Sequence, residues 1–314
     1  MYNLTSYQVD NLIGNPVSVT PVSPQFTSCY LRFTQNFVKG VIYTLSMQDS
    51  ITDCVGNYID NSSEVKFAIP DSIIENDIII NELLYNPEGN GVDFVEIYNR
   101  SGKVLNLKDL RLATIDTDSG TIDKVSEITI ESFLIFPKDY IVLSTSQDIV
   151  KSQYYTSNPD GFIDLASMPS YSNTSGQVVL CDYMLNKIDE FSYYDGMQFS
   201  LLNNTDGVSL ERLNFDSPTN DNSNWHSAAE TVGYATPAYK NSQYTDKNPK
   251  DDDIIVSPEI FSPDNDGFDD VVSFTYKFDK PGYVANVTVY DSKGRTIRKL
   301  LTNELIANDG VLTW

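Results

Sequence analysis

The chain has 314 residues, and its 44 acidic against 21 basic side chains give a formal net charge of −23 at pH 7. A negative field repels phosphate backbones, which argues against nucleic acid as a partner, whereas hard cations such as calcium prefer oxygen ligands; acidity that serves only solubility is the alternative. Apolar residues make up 40% of the chain, but no run reaches the roughly 18 that a membrane-spanning helix needs, so no transmembrane segment is expected.

Runs of alternating apolar and polar residues recur, for example CYLRF at 29–33, GVIYTLSM at 40–47 and DFVEIYN at 93–99. Each run is bounded by Gly, Asn, Asp, Pro or Ser, and 20 tyrosines with 15 phenylalanines add to the strand preference. The sequence predicts an all-β fold of tandem Ig-like β-sandwiches with little helix. We expect purely apolar sandwich interiors, with the chemistry confined to loops.

Two polar, proline-bearing segments, AIPDSIIEND at 68–77 and KNSQYTDKNPKDDD at 240–253, interrupt this rhythm. Such a composition is typical of linkers. They divide the chain into predicted domains at 1–72, 75–244 and 252–314. The first residues contain neither the basic nor the apolar region of a secretory signal, and we expect both ends to be cut from a longer protein.

The first predicted domain contains YTLSMQDSITDCVGNYI at 43–59, which resembles the final strands of bacterial Ig-like domains that occur in tandem on surface proteins. Asp53 is expected to accept hydrogen bonds from turn amides, with calcium ligation as the alternative. Cys29 and Cys54 leave a disulfide open. The three cysteines show none of the close pairing of zinc sites, so no structural zinc is expected.

The central domain carries the most specific signal. IIINELLYNP at 78–87 and GVDFVEIYNRSGKVLNLKDLRL at 91–112 are followed in order by YIVLS, SGQVVLCD, GVSLERL and NWHSAAETVGYATPAYKN. This ordered set resembles the lamin tail domain, an Ig-like sandwich of nuclear lamins and of many secreted bacterial proteins. The resemblance implies one sandwich domain across 75–244.

Two glutamates of this region, Glu82 and Glu96, are expected at equivalent places on neighbouring strands. Such a pair can act as general acid and base, bind a cation, or accept hydrogen bonds from Arg212 and from turn amides. No substrate cleft or companion group supports catalysis, and we expect the third role.

The single histidine, His226, follows Trp225 in a polar segment. A Ser-His-Asp triad or a zinc site would have to use it, but no G-x-S-x-G motif and no second nitrogen ligand accompany it. We expect a surface histidine beside a tryptophan that caps the core, and no catalytic residues.

The segment 147–173 is rich in Tyr, Ser and Asn. Long loops on a rigid sandwich often carry binding sites, and this composition suits recognition surfaces. Tyr154, Tyr155 and Tyr171 are therefore candidates for a contact surface, with simple loop packing as the alternative.

The last domain contains SPEIFSPDNDGFDDVVSFTYKF and YVANVTVYDSKGRTIRKLL. It resembles the C-terminal Ig-like domain of bacterial surface proteins of the gliding-motility type and of flagellar hook-capping proteins. Four aspartates surround Gly267 with a spacing close to that of calcium loops, and calcium is the one cofactor expected. These aspartates are Asp264, Asp266, Asp269 and Asp270. An Asx-rich turn that starts a strand is the alternative.

Together these features predict a non-catalytic secreted or cell-surface protein that acts outside the cytoplasm as an adhesion or interaction module. Its partner would be a glycan or an extracellular protein. The alternatives are an accessory region of a larger secreted enzyme, such as a nuclease or hydrolase, and a structural stalk. Two DSI triplets at 49–51 and 71–73 resemble the O-glycosylation pattern of Bacteroidetes and point to that source.

Overall fold

The computed structural model describes residues 3–47, 51, 63–116, 118–245, 253–258, 260–264 and 269–314. These residues form 22 strands and one α-helix, α1 at Gln147–Gln153, besides single turns of 3-10 helix. The predicted all-β class is therefore confirmed. None of the helices in these ranges is long and apolar enough to span a membrane.

The strands are, in chain order, β1 (Tyr7–Val9), β2 (Ser18–Pro21), β3 (Cys29–Arg32), β4 (Tyr43–Met47), β5 (Glu64–Phe67), β6 (Ile78–Leu84), β7 (Phe94–Asn99), β8 (Leu105–Asn106), β9 (Leu110–Ile115), β10 (Ile122–Glu127), β11 (Leu134–Ile135), β12 (Tyr140–Ser144), β13 (Phe162–Asp164), β14 (Ser175–Asp182), β15 (Lys187–Tyr194), β16 (Leu210–Arg212), β17 (Trp225–Ser227), β18 (Asp253–Ser257), β19 (Ser273–Lys277), β20 (Val284–Tyr290), β21 (Thr296–Leu305) and β22 (Asp309–Thr313).

The first of two compact units consists of residues 1–72, 102–107 and 132–137. Its strands form the sheets β1-β4-β5, β2-β3 and β8-β11. The ring of Phe37 makes edge contacts with Tyr43 and Phe67, at 5.0 and 5.1 Å between centroids. The predictions for Asp53 and for pairing with Cys54 lie outside the described residues.

The second unit takes the rest of the chain from residue 73 to residue 314. A six-stranded sheet with the order β13-β12-β7-β6-β16-β17 and a four-stranded sheet with the order β10-β9-β14-β15 form its main sandwich. Trp225 of the first sheet stacks on Phe191 of the second, with ring centroids 3.7 Å apart. This contact joins the two layers, and Trp225 is part of the buried core.

The central strands β6 and β7 are buried on both faces rather than on one. One face meets the four-stranded sheet. The other face is covered by α1 and by the segment 235–238, in a cluster that includes Leu84, Phe94, Val150 and Ala238. The six-stranded sheet is therefore a middle layer at these two strands, and their polar residues are buried.

The C-terminal strands form the sheets β18-β19-β22 and β20-β21, which belong to the same compact unit as the main sandwich. Tyr276, Phe278 and Tyr283 pack side by side between them. The division of the chain into domains at 1–72, 75–244 and 252–314 stays a prediction.

Candidate functional site

A row of three glutamates crosses the six-stranded sheet. Antiparallel pairing places Glu82 of β6 opposite Glu96 of β7 and opposite Glu211 of β16. All three side chains are fully buried. The predicted equivalence of Glu82 and Glu96 is confirmed, whereas the sequence reasoning missed the third member. We call these residues the glutamate row.

The main chain of the segment 236–243 donates a hydrogen bond to each member of the row. The amide of Thr236 donates to Glu82 Oε1 at 2.9 Å, and the amide of Gln243 donates to Glu211 Oε2 at 2.8 Å. The amide of Ala238 donates to Glu96 Oε2 at 2.5 Å. Buried amides outside regular structure need such acceptors. The glutamate row therefore anchors this segment, and the predicted role as acceptors of backbone amides is confirmed.

Side-chain donors complete the shell of the glutamate row. Ser209 Oγ donates to Glu82 Oε1 at 2.5 Å, Asn81 Nδ2 donates to Glu96 Oε1 at 2.7 Å, and Ser242 Oγ donates to Glu211 Oε2 at 2.8 Å. Asn81 Nδ2 also reaches Asn241 Oδ1 at 2.6 Å. Its amide thus ties the edge of the row to the covering segment.

The hydroxyl of Thr236 lies between two members of the row. Its oxygen is 2.7 Å from Glu211 Oε1 and 3.4 Å from Glu82 Oε2. A hydroxyl has a single proton to donate, and the shorter contact takes it. Among the described residues, Glu82 Oε2 is therefore left without a donor of its own, and a proton on this oxygen would point at the lone pairs of Thr236 Oγ1.

The electrostatics of the row agree with a proton at this place. Burial, followed by the charge of Glu211, raises the pKa of Glu82 to about 8. Burial and then the charge of Glu82 raise the pKa of Glu96, and burial raises the pKa of Glu211 against the opposing effect of its donors. Desolvation disfavours the charged form of each carboxyl. The carboxyls of the row therefore keep a proton to a higher pH than an exposed glutamate does.

Arg212 takes no part in the glutamate row. It follows Glu211 on β16, and successive residues of a strand point to opposite faces. Its guanidinium is buried, donates to the carbonyl of Ile80 at 3.1 Å and lies 3.7 Å from Asp189 Oδ2. The prediction that Arg212 pairs with Glu82 or Glu96 is wrong for this reason.

The carboxylates of the row also correct the expectation of a purely apolar interior. Burying a charge costs free energy unless it is hydrogen-bonded, and here the donors come from a segment of irregular main chain. The interior of the main sandwich thus contains polar chemistry that the alternation pattern of strands does not show.

The segment 236–243 also holds the C-terminal strands. Asn308 Nδ2 donates to the carbonyls of Gln243 at 2.9 Å and Tyr244 at 3.1 Å, and the amide of Asn308 donates to Ser242 O at 2.8 Å. Gln243 Nε2 donates to Ile306 O at 3.2 Å. The glutamate row on one side and the C-terminal strands on the other therefore share one segment of main chain.

The three candidate tyrosines occupy different environments. Tyr154 and Tyr171 are only 8% and 5% exposed, whereas Tyr155 is 69% exposed. The hydroxyl of Tyr154 donates to Gly207 O at 2.9 Å. The side chains of Tyr154 and Tyr171 are therefore buried in the free chain, because the helical turn and the loop that follow β12 fold them into the core, and a binding role for the three tyrosines stays a prediction. Tyr155 remains a candidate.

His226 lies opposite Glu211 in the pairing of β16 with β17. It is half-buried rather than on the surface, its ring centroid is 5.2 Å from that of Phe199, and burial lowers its pKa. The prediction of a surface histidine is corrected accordingly.

The predicted calcium loop is described only in part. Asp264, Asp269 and Asp270 are in the described ranges, whereas Asp266 lies outside them. Within those ranges no group of three or more potential metal ligands comes together. Calcium binding at this loop stays a prediction.

Residues 74–195 match the family model of the lamin tail domain, and the chain therefore contains such a domain. The match includes Glu82 and Glu96 and ends before Glu211 and the segment 236–243. No curated protein and no solved structure matches the chain. The bacterial source and the flanking Ig-like domains stay predictions.

Proposed function

We propose that this chain, which contains a lamin tail domain, is a non-catalytic interaction module of a protein that acts outside the cytoplasm, at a cell surface or after secretion. The lamin tail domain is an Ig-like fold, which is consistent with an interaction role. The observation that carries the proposal is the glutamate row, whose three members each bind an amide of one covering segment. These carboxylates hold the covering segment in a fixed position on the sheet.

The position of the row supports this assignment over acid–base chemistry. A general acid or base must come within hydrogen-bond distance of the reacting group. Glu82, Glu96 and Glu211 are fully buried, and they line neither the cleft of about 560 Å³ nor the cleft of about 580 Å³ of this unit. The pKa of Glu82 is raised because the residue is buried beneath the segment 236–243. A substrate would have to displace that segment to reach the carboxyl.

The partner in this proposal is a glycan or an extracellular protein. Loops that a rigid scaffold holds in place are the usual carriers of such sites. The glutamate row fixes the segment 236–243, and Tyr155 stands exposed beside it with its ring centroid 6.0 Å from that of Tyr239. The net charge of −23 favours neutral or cationic partners.

The test compares binding with turnover on the same purified chain. Binding is measured on an array of neutral glycans and on immobilised extracellular matrix proteins, with and without calcium. Turnover is measured with DNA and with chromogenic glycoside and ester substrates. We expect saturable binding that Glu96→Gln reduces only in proportion to unfolding, and no turnover. Turnover that Glu96→Gln abolishes in the folded chain would refute the proposal.

A spacer that holds other domains apart is the second candidate. The bonds of Asn308 to the carbonyls of Gln243 and Tyr244 favour it, because they couple the C-terminal strands to the main sandwich. A spacer predicts no saturable binding on either array, which separates it from the interaction module.

A further inference from the structure

A cleft of about 580 Å³ lies on the four-stranded sheet, away from the glutamate row. The ends of β9 and β10, the segment 170–176 and the neighbouring β15 line it. Six side chains of this lining carry a hydroxyl or an amide: Thr114, Ser170, Ser172, Ser175, Gln177 and Ser192. Its size is that of small-molecule sites, which typically span roughly 300–1,000 Å³.

The hydroxyl of Tyr171 singles out this cleft. Tyr171 belongs to the lining and is only 5% exposed. Within the described residues its hydroxyl is the buried side-chain polar atom that has no hydrogen-bond partner. An unpaired buried hydroxyl lowers stability, and phenylalanine would fill the same space without that cost. Burial raises the pKa of Tyr171 well above its ordinary value, so the group keeps its proton and can donate it.

The neighbouring Tyr193 forms part of the same lining. Its hydroxyl donates to the carbonyl of Ser172 at 2.8 Å, which fixes the segment above Tyr171. A Cβ at position 176 would lie 2.6 Å from this hydroxyl, so Gly176 leaves the room that the tyrosine occupies. The cleft thus combines tyrosine rings with a border of small polar groups.

Lys124 and Asp116 are the charged residues of this lining, and the charge of Asp93, after burial and Tyr193, contributes to the raised pKa of Tyr171. Lys124 is exposed, and the carboxylate of Asp116 already accepts hydrogen bonds from the amides of Ser119 at 2.7 Å and Asp118 at 3.1 Å. A lining of hydroxyls, amides and aromatic rings with little net charge matches a ligand that is itself neutral and rich in hydroxyl groups. Hydroxyls donate and accept at once, as the hydroxyls of sugars do.

We infer that this cleft binds a neutral glycan and that a sugar hydroxyl accepts the proton of Tyr171. The inference rests on the proposed interaction function and names the ligand class of one site. Tyr171 is shielded in the free chain, so the sugar reaches it by displacing the exposed part of the segment 170–176. Ser172 and its bond to Tyr193 mark the contact that has to open.

Tyr171→Phe tests the inference with two readouts. The probes are neutral oligosaccharides of β-glucan, xylan, mannan and chitin, screened on an array and then titrated by calorimetry. For those that bind, we expect about tenfold weaker affinity in Tyr171→Phe, the effect of one hydrogen bond. The free energy of unfolding should stay equal or rise, because the removed hydroxyl has no partner in the free chain.

Gln177→Ala, at the border of the cleft, is a second variant with little risk to the fold, and Tyr290→Phe is the matched control on an exposed tyrosine outside the cleft. Weaker binding in Gln177→Ala with unchanged binding in Tyr290→Phe supports the site. Full affinity in both Tyr171→Phe and Gln177→Ala refutes it, although glycan binding elsewhere would preserve the interaction module. Binding to proteins alone refutes the glycan class, and turnover of a glycan refutes the proposed function itself.

Discussion

The substitution Glu82→Gln is expected to stabilise the chain above neutral pH and to change its stability little in mild acid. In the folded chain, burial and the charge of Glu211 raise the pKa of Glu82 from 4.5 to about 8. A carboxyl whose pKa is raised by folding contributes stability that is fully present below the unfolded pKa and is lost as the pH rises through the folded pKa. Glutamine has no proton to lose, so this loss disappears.

The magnitude follows from the same two pKa values. Each pKa step corresponds to about 1.4 kcal/mol, and the distance from 4.5 to about 8 therefore sets a ceiling of about 5 kcal/mol. Because Glu211 and Glu96 share the electrostatic penalty, we expect the advantage of Glu82→Gln over the wild type to grow from near zero at about pH 5 to about 1–3 kcal/mol at about pH 9. The geometry permits the change, since the glutamine amide would donate to Thr236 Oγ1 while its carbonyl keeps the bond from the Thr236 amide.

The assay is urea unfolding at a series of pH values, followed by the fluorescence of the buried Trp225. Glu96→Gln and Glu211→Gln are the matched controls, because both oxygens of each carboxylate already accept from donors. A glutamine nitrogen would face one of those donors, so a loss of about 1–3 kcal/mol is expected in mild acid. Because burial also raises the pKa of Glu96 and Glu211, this loss should become smaller as the pH rises. A pH dependence in Glu82→Gln equal to that of the wild type would refute the reasoning, as would tolerance of all three changes alike.

Three other changes test neighbouring parts of the account. Asn308→Ala removes the side-chain amide that holds the C-terminal strands. Hydrogen exchange measured by mass spectrometry should become faster in β21 and β22 and stay unchanged in β6. An equal change of the exchange rate in all three strands would contradict the coupling. Gly176→Ala brings a Cβ to 2.6 Å from a tyrosine hydroxyl and should lower the free energy of unfolding by about 1–3 kcal/mol in thermal unfolding. Gly102→Ala is the control, because its Cβ meets nothing within 4 Å, and its free energy of unfolding should stay within about 0.5 kcal/mol of the wild type. Equal effects of the two changes would contradict the packing around position 176. Calcium should raise the melting temperature more than magnesium does, and Asp264→Asn with Asp269→Asn should abolish the difference; no shift with calcium would count against the predicted loop.

Part of the glutamate row could be predicted from the sequence. Glu82 and Glu96 stand in INELL and FVEIYN, two long strand-like runs that follow each other closely, so their pairing across an antiparallel ladder could be predicted. Their role as acceptors of backbone amides could be named as one of several. The choice among these roles depends on whether the carboxyl groups are buried. They are, because both faces of β6 and β7 are covered.

The rest of the row has no local signature. Glu211 lies in a strand of three residues, and its distance of more than a hundred residues from Glu82 hides the pairing. The donors to the row are main-chain amides of 236–243, and every residue except proline has one. Arg212 is the partner that the sequence suggests for the glutamates, because of its positive charge. It is next to Glu211 in the same strand, however, so its side chain lies on the other face of the sheet.

The tyrosines show the same limit. The composition of 147–173 marks a segment that favours recognition, but composition does not say which side chains turn inwards. Tyr154 packs under the end of α1 in the cluster with Phe94 and Ala235, and Tyr155 next to it is exposed. Burial of Tyr171 with an unpaired hydroxyl is visible only once β14 and β15 are in place.

The most direct test of the central claim is amide hydrogen exchange, measured by NMR at neutral pH, at Thr236, Ala238 and Gln243. If the glutamate row anchors this segment, these amides will exchange as slowly as those in the middle of β6, despite the absence of regular structure around them. Exchange as fast as in an exposed turn such as that at Ser119 would show that the carboxylates do not hold the segment.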